Sequence, residues 1–220
     1  MAKDVLVRGV DEKIYSSLGN AAKERGISIN SLVKDAIDSW LAKKDDQTQI
    51  HHLVIYSDDK ALANLLKSLD YFAQKSGWFK CYCGPKTNPS VKLLEEMKWH
   101  NGTIATYDPN LKNLSSYCGK IIQKIAKESN RQPVCCIDFI VGDIANKKSL
   151  SEAIKMEHEY NEERLGGLMF CPYKTHDLLS TGIDDMIELF EEHDQIFILK
   201  DDKVYKIHLT LESTHKMIMN

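Results

Sequence analysis

Long apolar runs are missing from this chain. No stretch approaches the roughly 20 residues a helix needs to cross a bilayer, and Met1-Ala2-Lys3-Asp4 opens without the apolar core of a signal peptide. A cytoplasmic protein with no membrane partner is expected. Proline is scarce, at five residues, and 43% of the chain is apolar, which excludes extended disorder. There is no internal repeat, and no Gly-rich loop ending in Lys and Ser or Thr to cradle a triphosphate. Cys-x-x-Cys pairs are absent too. The six cysteines stand at uneven spacings and are read as reduced thiols. Cys81-x-Cys83 would put two sulfurs on one strand face, but neither a second thiol pair nor a His pair at zinc spacing accompanies it. No metal site is expected, the cofactor is unknown, and His51-His52 is read as surface rather than as a ligand pair.

What is present divides the chain in three: residues 1–44, a polar linker over 45–50, and residues 51–220. The first part reads as a strand, Lys3 to Arg8, and two helices, Asp11 to Arg25 and Ser28 to about Lys44. One strand has no pairing partner and two short helices bury too little apolar surface, so a second copy must complete the core. In the strand, Val5 and Val7 face the helices while Asp4, Leu6 and Arg8 face outward. Ile14, Leu18 and Ala21 or Ala22 share a face of the first helix, which Gly26 ends. Leu32, Val33, Ala36, Ile37, Trp40 and Leu41 recur at helical spacing on the second, with Ser28 or Asn30 as its N-cap.

Through Val5-Leu6-Val7-Arg8-Gly9-Val10-Asp11, Ala21-Ala22-Lys23-Glu24-Arg25-Gly26 and Gly26-Ile27-Ser28-Ile29-Asn30-Ser31-Leu32-Val33, this segment resembles the ribbon-helix-helix DNA-binding proteins related to the Arc, MetJ and CopG repressors. The resemblance implies a two-stranded ribbon in the major groove. Lys3, Asp4, Leu6 and Arg8 would meet DNA there, while Ser28, Ile29, Asn30 and Ser31 open the second helix as an uncapped anion site holding a phosphate. Leu6 stands where a polar reader is usual in the family, and Asp4 would accept from cytosine or repel phosphate. Residues 1–44 carry eight Lys or Arg against six acids, whereas the whole chain nets −3. A basic module is thus joined to an acidic body.

From His51 onward, apolar runs alternate with helical stretches. Strands are expected over 53–56, 78–83, 103–107, 134–141, 167–171 and 195–199. Helices are expected over 61–75, 90–98, 111–127, 149–165 and 177–192. Such alternation predicts a three-layer α/β domain with a mostly parallel sheet, and a hairpin turning at Lys200-Asp201-Asp202-Lys203 adds an antiparallel edge strand, 204–208. Open parallel sheets bind ligands beyond the carboxyl ends of their strands, which selects Tyr56, Asp58, Cys83, Asp108, Asp138, Cys171 and Tyr173 as ligand-binding candidates.

Val134-Cys135-Cys136-Ile137-Asp138 looks like the strand and terminal acid of a Walker B element, where the carboxylate would hold magnesium. The phosphate loop is missing, as in a RecA-like sheet that has lost nucleotide hydrolysis. His52-Leu53-Val54-Ile55-Tyr56-Ser57-Asp58-Asp59, and Cys171-Pro172-Tyr173 with His193 downstream, resemble the sensory domain of methanogens, methylotrophs and the regulator DcmR. That resemblance implies sensing of small hydrocarbon derivatives. Glu157-His158-Glu159 is read as a solvated helix face, and no catalytic constellation emerges, so no enzyme is expected. The function read from the sequence is a dimeric transcriptional regulator. Its partners would be double-stranded DNA, a second copy and a small-molecule effector, with pairing of dimers into tetramers left open. The alternative is an architectural nucleoid protein whose large domain only oligomerises.

Overall fold

The computed structural model describes residues 9–45, 49–104, 107–111, 113–162, 165–201 and 203–207. The chain forms two compact units, 1–46 and 47–220. In the first, helix α1 spans Glu12–Glu24 and helix α2 spans Ile29–Asp45. The Asp11 carboxylate accepts from the Ile14 N–H at 2.8 Å and starts α1. Gly26, at φ +64°, supplies the left-handed turn after it. The Ser28 hydroxyl accepts from the Ser31 N–H at 3.0 Å. Ser28 rather than Asn30 is therefore the cap of α2, and the uncapped N-terminus expected there is partly occupied by the chain's own side chain. The expected strand, with Lys3, Asp4, Leu6 and Arg8, lies outside the described residues. Val10, Ile14 and Ile37 stay 40%, 52% and 40% exposed.

The described residues of the second unit are built on a seven-stranded sheet. Its strands are β1 (Gln49–Tyr56), β2 (Phe79–Cys83), β3 (His100–Asn101), β4 (Val134–Asp138), β5 (Gly167–Lys174), β6 (Gln195–Lys200) and β7 (Lys203–Ile207). They are ordered β3-β2-β4-β5-β1-β6-β7, and every pairing is parallel except β6 with β7. This is the mixed α/β, mostly parallel arrangement expected, with its antiparallel edge. Helices α3 (Asp59–Ser76) and α4 (Pro89–Glu96) cover one face, burying Leu62, Leu66 and Leu94 against Val54, Tyr82, Ile137 and Phe170. Helices α5 (Leu114–Ser129), α6 (Ile140–Lys147), α7 (Leu150–Glu162), α8 (Thr175–Leu179) and α9 (Ile183–Glu191) contribute to the other face. There Ile121, Ile140, Ile154 and Leu189 meet Leu53, Cys136 and Cys171. Each large aliphatic side chain buried this way contributes about 1.5–3 kcal/mol before entropy is counted.

Three expected elements change. Thr103, Ile104 and Tyr107 are not in a strand; the edge strand is instead His100–Asn101. The 134–141 strand stops at Asp138, whose carboxylate accepts from the Ile140 N–H at 2.7 Å and turns the apolar run into α6. A short buried apolar run fits helix and strand equally well. The 177–192 helix is two pieces, α8 and α9, separated at Ser180–Gly182.

Candidate functional site

A cleft of about 280 Å³ opens beyond the carboxyl ends of the parallel strands. Tyr56, Phe139 and Pro172 give it apolar walls, and Asp143, Lys147, Lys174 and Asp177 give it charge. Gly142 belongs to this wall for a steric reason: a Cβ there would lie 2.5 Å from the Pro172 carbonyl oxygen. Asp143 holds both the Tyr107 hydroxyl, at 2.7 Å, and the Lys147 ammonium, at 2.9 Å. Asp177 accepts from the Asn146 amide at 2.8 Å.

Of the seven ligand candidates, Tyr56 lines this cleft. The others do different work. Asp58 caps α3 through the Lys60 N–H at 2.9 Å. Cys83 is buried in the core. Asp108 is exposed and accepts from the Asn110 N–H at 2.8 Å. Asp138 is fully buried and takes the Tyr160 hydroxyl as well as the Ile140 N–H, so its carboxylate serves the interior rather than a magnesium in the cleft. Burial pushes its pKa up to about 7. Cys171 and Tyr173 alternate with the cleft-lining Pro172 and Lys174 along β5 and point to a second, closed site.

That site is assembled from β1, α7, β5 and the turn after α9. His51, Glu157, Cys171 and His193 are all buried, and one donor atom from each lies within 4.8 Å of every other. The Glu157 carboxylate is central. Its Oε2 lies 3.1 Å from His51 Nε2 and accepts from the Cys171 thiol at 3.3 Å. Its Oε1 accepts from the Tyr173 hydroxyl at 2.6 Å and lies 3.5 Å from His193 Nε2. Cys171 Sγ is 3.1 Å from His51 Nε2, and the two imidazole rings are 4.3 Å apart.

Burial alone would raise the Glu157 pKa, but His193 and His51 outweigh it and hold the carboxyl well below the usual range. Burial would likewise lower His51, and Glu157 overturns that, leaving the imidazole raised. Burial drives the Cys171 thiol well up, so on its own it stays protonated. Two carboxylates in one apolar interior are thus displaced in opposite directions, Glu157 down and Asp138 up.

His51 and His52 correct the surface reading: both are buried, on opposite sheet faces. His52 packs against Phe170 and Phe197, at ring separations of 4.6 and 5.2 Å. Glu157 corrects the solvated-face reading. It lies three residues from both Ile154 and Tyr160 on the stripe that α7 buries. That spacing was visible in the sequence and was masked by the charged residues around it. The six cysteines are free and buried.

No protein-family model matches the chain, and no curated protein does. Among solved structures the chain is similar to an ATPase domain, at 10% identity over 80% of this chain and 84% of that one, with a TM-score of 0.43. It is also similar to a KaiC-like protein of Pyrococcus horikoshii OT3, at 14% identity over 71% and 76%, TM-score 0.44. A third is the flagellar accessory protein FlaH of Methanocaldococcus jannaschii, at 11% over 74% and 77%, TM-score 0.40. The expectation that the chain is not an enzyme is corrected by these matches, which include an ATPase domain. Among the described residues no helix is long and apolar enough to cross a membrane.

Proposed function

We propose that the chain is a DNA-binding transcriptional regulator: a ribbon-helix-helix dimer formed by residues 1–44, coupled to a RecA-like domain that binds an effector. The observation that carries this reading is the exposure of Ile14 and Ile37 on a helix pair that has its caps and turn in place, and of Val10 just before it. Apolar side chains left uncovered on an otherwise well-formed module call for a second copy. The cleft supports the sensing half. Its apolar walls and charged rim suit a small molecule with one polar end, in keeping with the DcmR-type resemblance. ATP belongs in the effector screen as ligand and as substrate, with hydrolysis measured alongside binding.

The test uses the full chain and duplexes selected from a random pool, with affinity measured at fixed salt. Arg8→Ala is expected to weaken binding to the selected site by about 1–3 kcal/mol while leaving the dimer intact. Equal affinity for selected and scrambled duplexes, falling steeply with salt, would overturn the reading in favour of an architectural protein. Ile14→Glu is expected to dissociate the dimer, because it places a charge in the interface core. Sedimentation of that variant at the wild-type mass would remove the exposed apolar face as support.

A further inference from the structure

We infer that His51, Glu157, Cys171 and His193 form a closed, four-coordinate site for a zinc-class divalent metal ion. The ligands are His51 Nε2, His193 Nε2, Cys171 Sγ and Glu157 Oε2. Tetrahedral zinc with bonds of about 2.0–2.3 Å needs ligand atoms roughly 3.3–3.7 Å apart. Three of the separations here are 3.1, 3.1 and 3.3 Å, and His193 Nε2 lies 3.5 Å from the same carboxylate. The His51, Cys171 and Glu157 donors need only spread by a few tenths of an ångström to admit an ion, and all four donor atoms already lie within 4.8 Å of one another.

The outer partners point the same way. His51 Nδ1 faces Asn161 Oδ1 at 3.1 Å. The orientation of that amide is set by its Nδ2, which donates to the Glu192 carbonyl at 2.8 Å and to Glu192 Oε2 at 2.6 Å. His51 Nδ1 therefore carries the hydrogen. His193 Nδ1 donates to the Leu189 carbonyl at 2.7 Å. Both rings thus turn an Nε2 lone pair toward one centre, the tautomer a metal-bound histidine takes when its other nitrogen is held by a hydrogen bond. His193 Nε2 is buried with no hydrogen-bond partner among the described residues. An orphaned acceptor aimed at a thiol, a carboxylate and a second imidazole is accounted for by a cation between them.

Charge decides between metal classes. A divalent ion with one thiolate, one carboxylate and two neutral imidazoles sums to zero, which a fully buried site requires. The thiolate and imidazoles select zinc or cobalt over magnesium or calcium. Loading releases the Cys171 thiol proton, and the His51 ring proton where it is charged, to solvent. With the four side chains buried, the ion enters during folding. The inference is independent of DNA binding.

The experiment refolds the full chain with cobalt(II) or zinc(II) and reads absorbance, metal content and far-ultraviolet circular dichroism. The expected result is one ion per chain, intense tetrahedral visible bands and a thiolate-to-cobalt charge-transfer band. Cys171→Ser is expected to abolish that band with the fold retained, and Cys136→Ser, a buried thiol outside the set, to keep it. Asn161→Leu, which touches no metal, is expected to weaken binding about 10- to 100-fold. Absence of the band in wild-type chain refolded with cobalt, or its persistence in Cys171→Ser, would overturn the site and leave the cluster as a hydrogen-bonded ion pair.

Discussion

Glu157→Ala is expected to lose about 3–5 kcal/mol of unfolding free energy, the cost of removing one partner from a fully buried charged group. The carboxylate is completely inaccessible and meets Tyr173, Cys171, His51 and His193 at once. Its removal takes the acceptor from the Tyr173 hydroxyl and the carboxylate from beside His51 Nε2 and His193 Nε2, all in an apolar interior, and opens a cavity besides. The loss is the same in kind whether the four side chains hold an ion or only one another. Tyr173→Phe removes a single hydrogen bond at this site and is expected to cost about 1 kcal/mol, so the two variants separate the anion's role from general crowding. Urea unfolding at neutral pH provides the measurement. A Glu157→Ala loss below that of Tyr173→Phe would mean that the carboxylate is not the organising charge.

His52→Phe is expected to flatten the acid limb of the stability profile. Burial lowers the His52 pKa from 6.5 to about 3, and the neighbouring His51, Lys206 and His193 act in the same direction. The folded protein therefore holds this imidazole neutral, while the unfolded chain takes up a proton near pH 6.5. Stability contributed by the neutral ring is complete above pH 6.5 and is lost as pH falls toward 3, by on the order of 4–5 kcal/mol over the whole window. Asp138 works oppositely. Its pKa is raised from 3.8 to about 7, so its contribution is complete below 3.8 and is lost as pH rises to 7. The wild-type curve mixes the two effects, and the difference between His52→Phe and wild type isolates the histidine. Phenylalanine fits the pocket between Phe170 and Phe197 and removes Nδ1, which has no hydrogen-bond partner among the described residues. The measured difference should grow steadily below pH 6.5; a difference independent of pH would show that His52 takes up its proton in the fold as readily as in the unfolded chain.

Much of the architecture was legible from local pattern. Leu53 to Tyr56 and Gln195 to Leu199 are strands within observed β1 and β6, because both faces of a covered parallel sheet demand apolar residues and a short run bounded by turns satisfies that. The turn at Lys200–Lys203 is also where the antiparallel edge begins. Legibility failed where one local signal served two structures. Val134 to Val141 is continuously apolar except for Asp138, and only the bond from the Ile140 N–H to that carboxylate turns strand into helix. It failed again at Glu157, His51 and His52, where residue type suggested solvent. In each case the period was the better guide: Glu157 keeps helical spacing with Ile154 and Tyr160, and His51 and His52 continue the two-residue alternation of Leu53 and Val54.

The residues alone determined that two kinds of unit are joined here, that the larger is a covered parallel sheet, and that a cleft would open at its carboxyl edge. These follow from periodicity and chain connectivity, which act over a few residues at a time. Tertiary structure alone decided that His51, Glu157, Cys171 and His193 converge. Their meeting depends on β5 lying beside β1 and on α7 bringing Glu157 against His51 and Cys171 of those strands. No spacing along the chain encodes such an encounter, because it is produced by the order of strands in space.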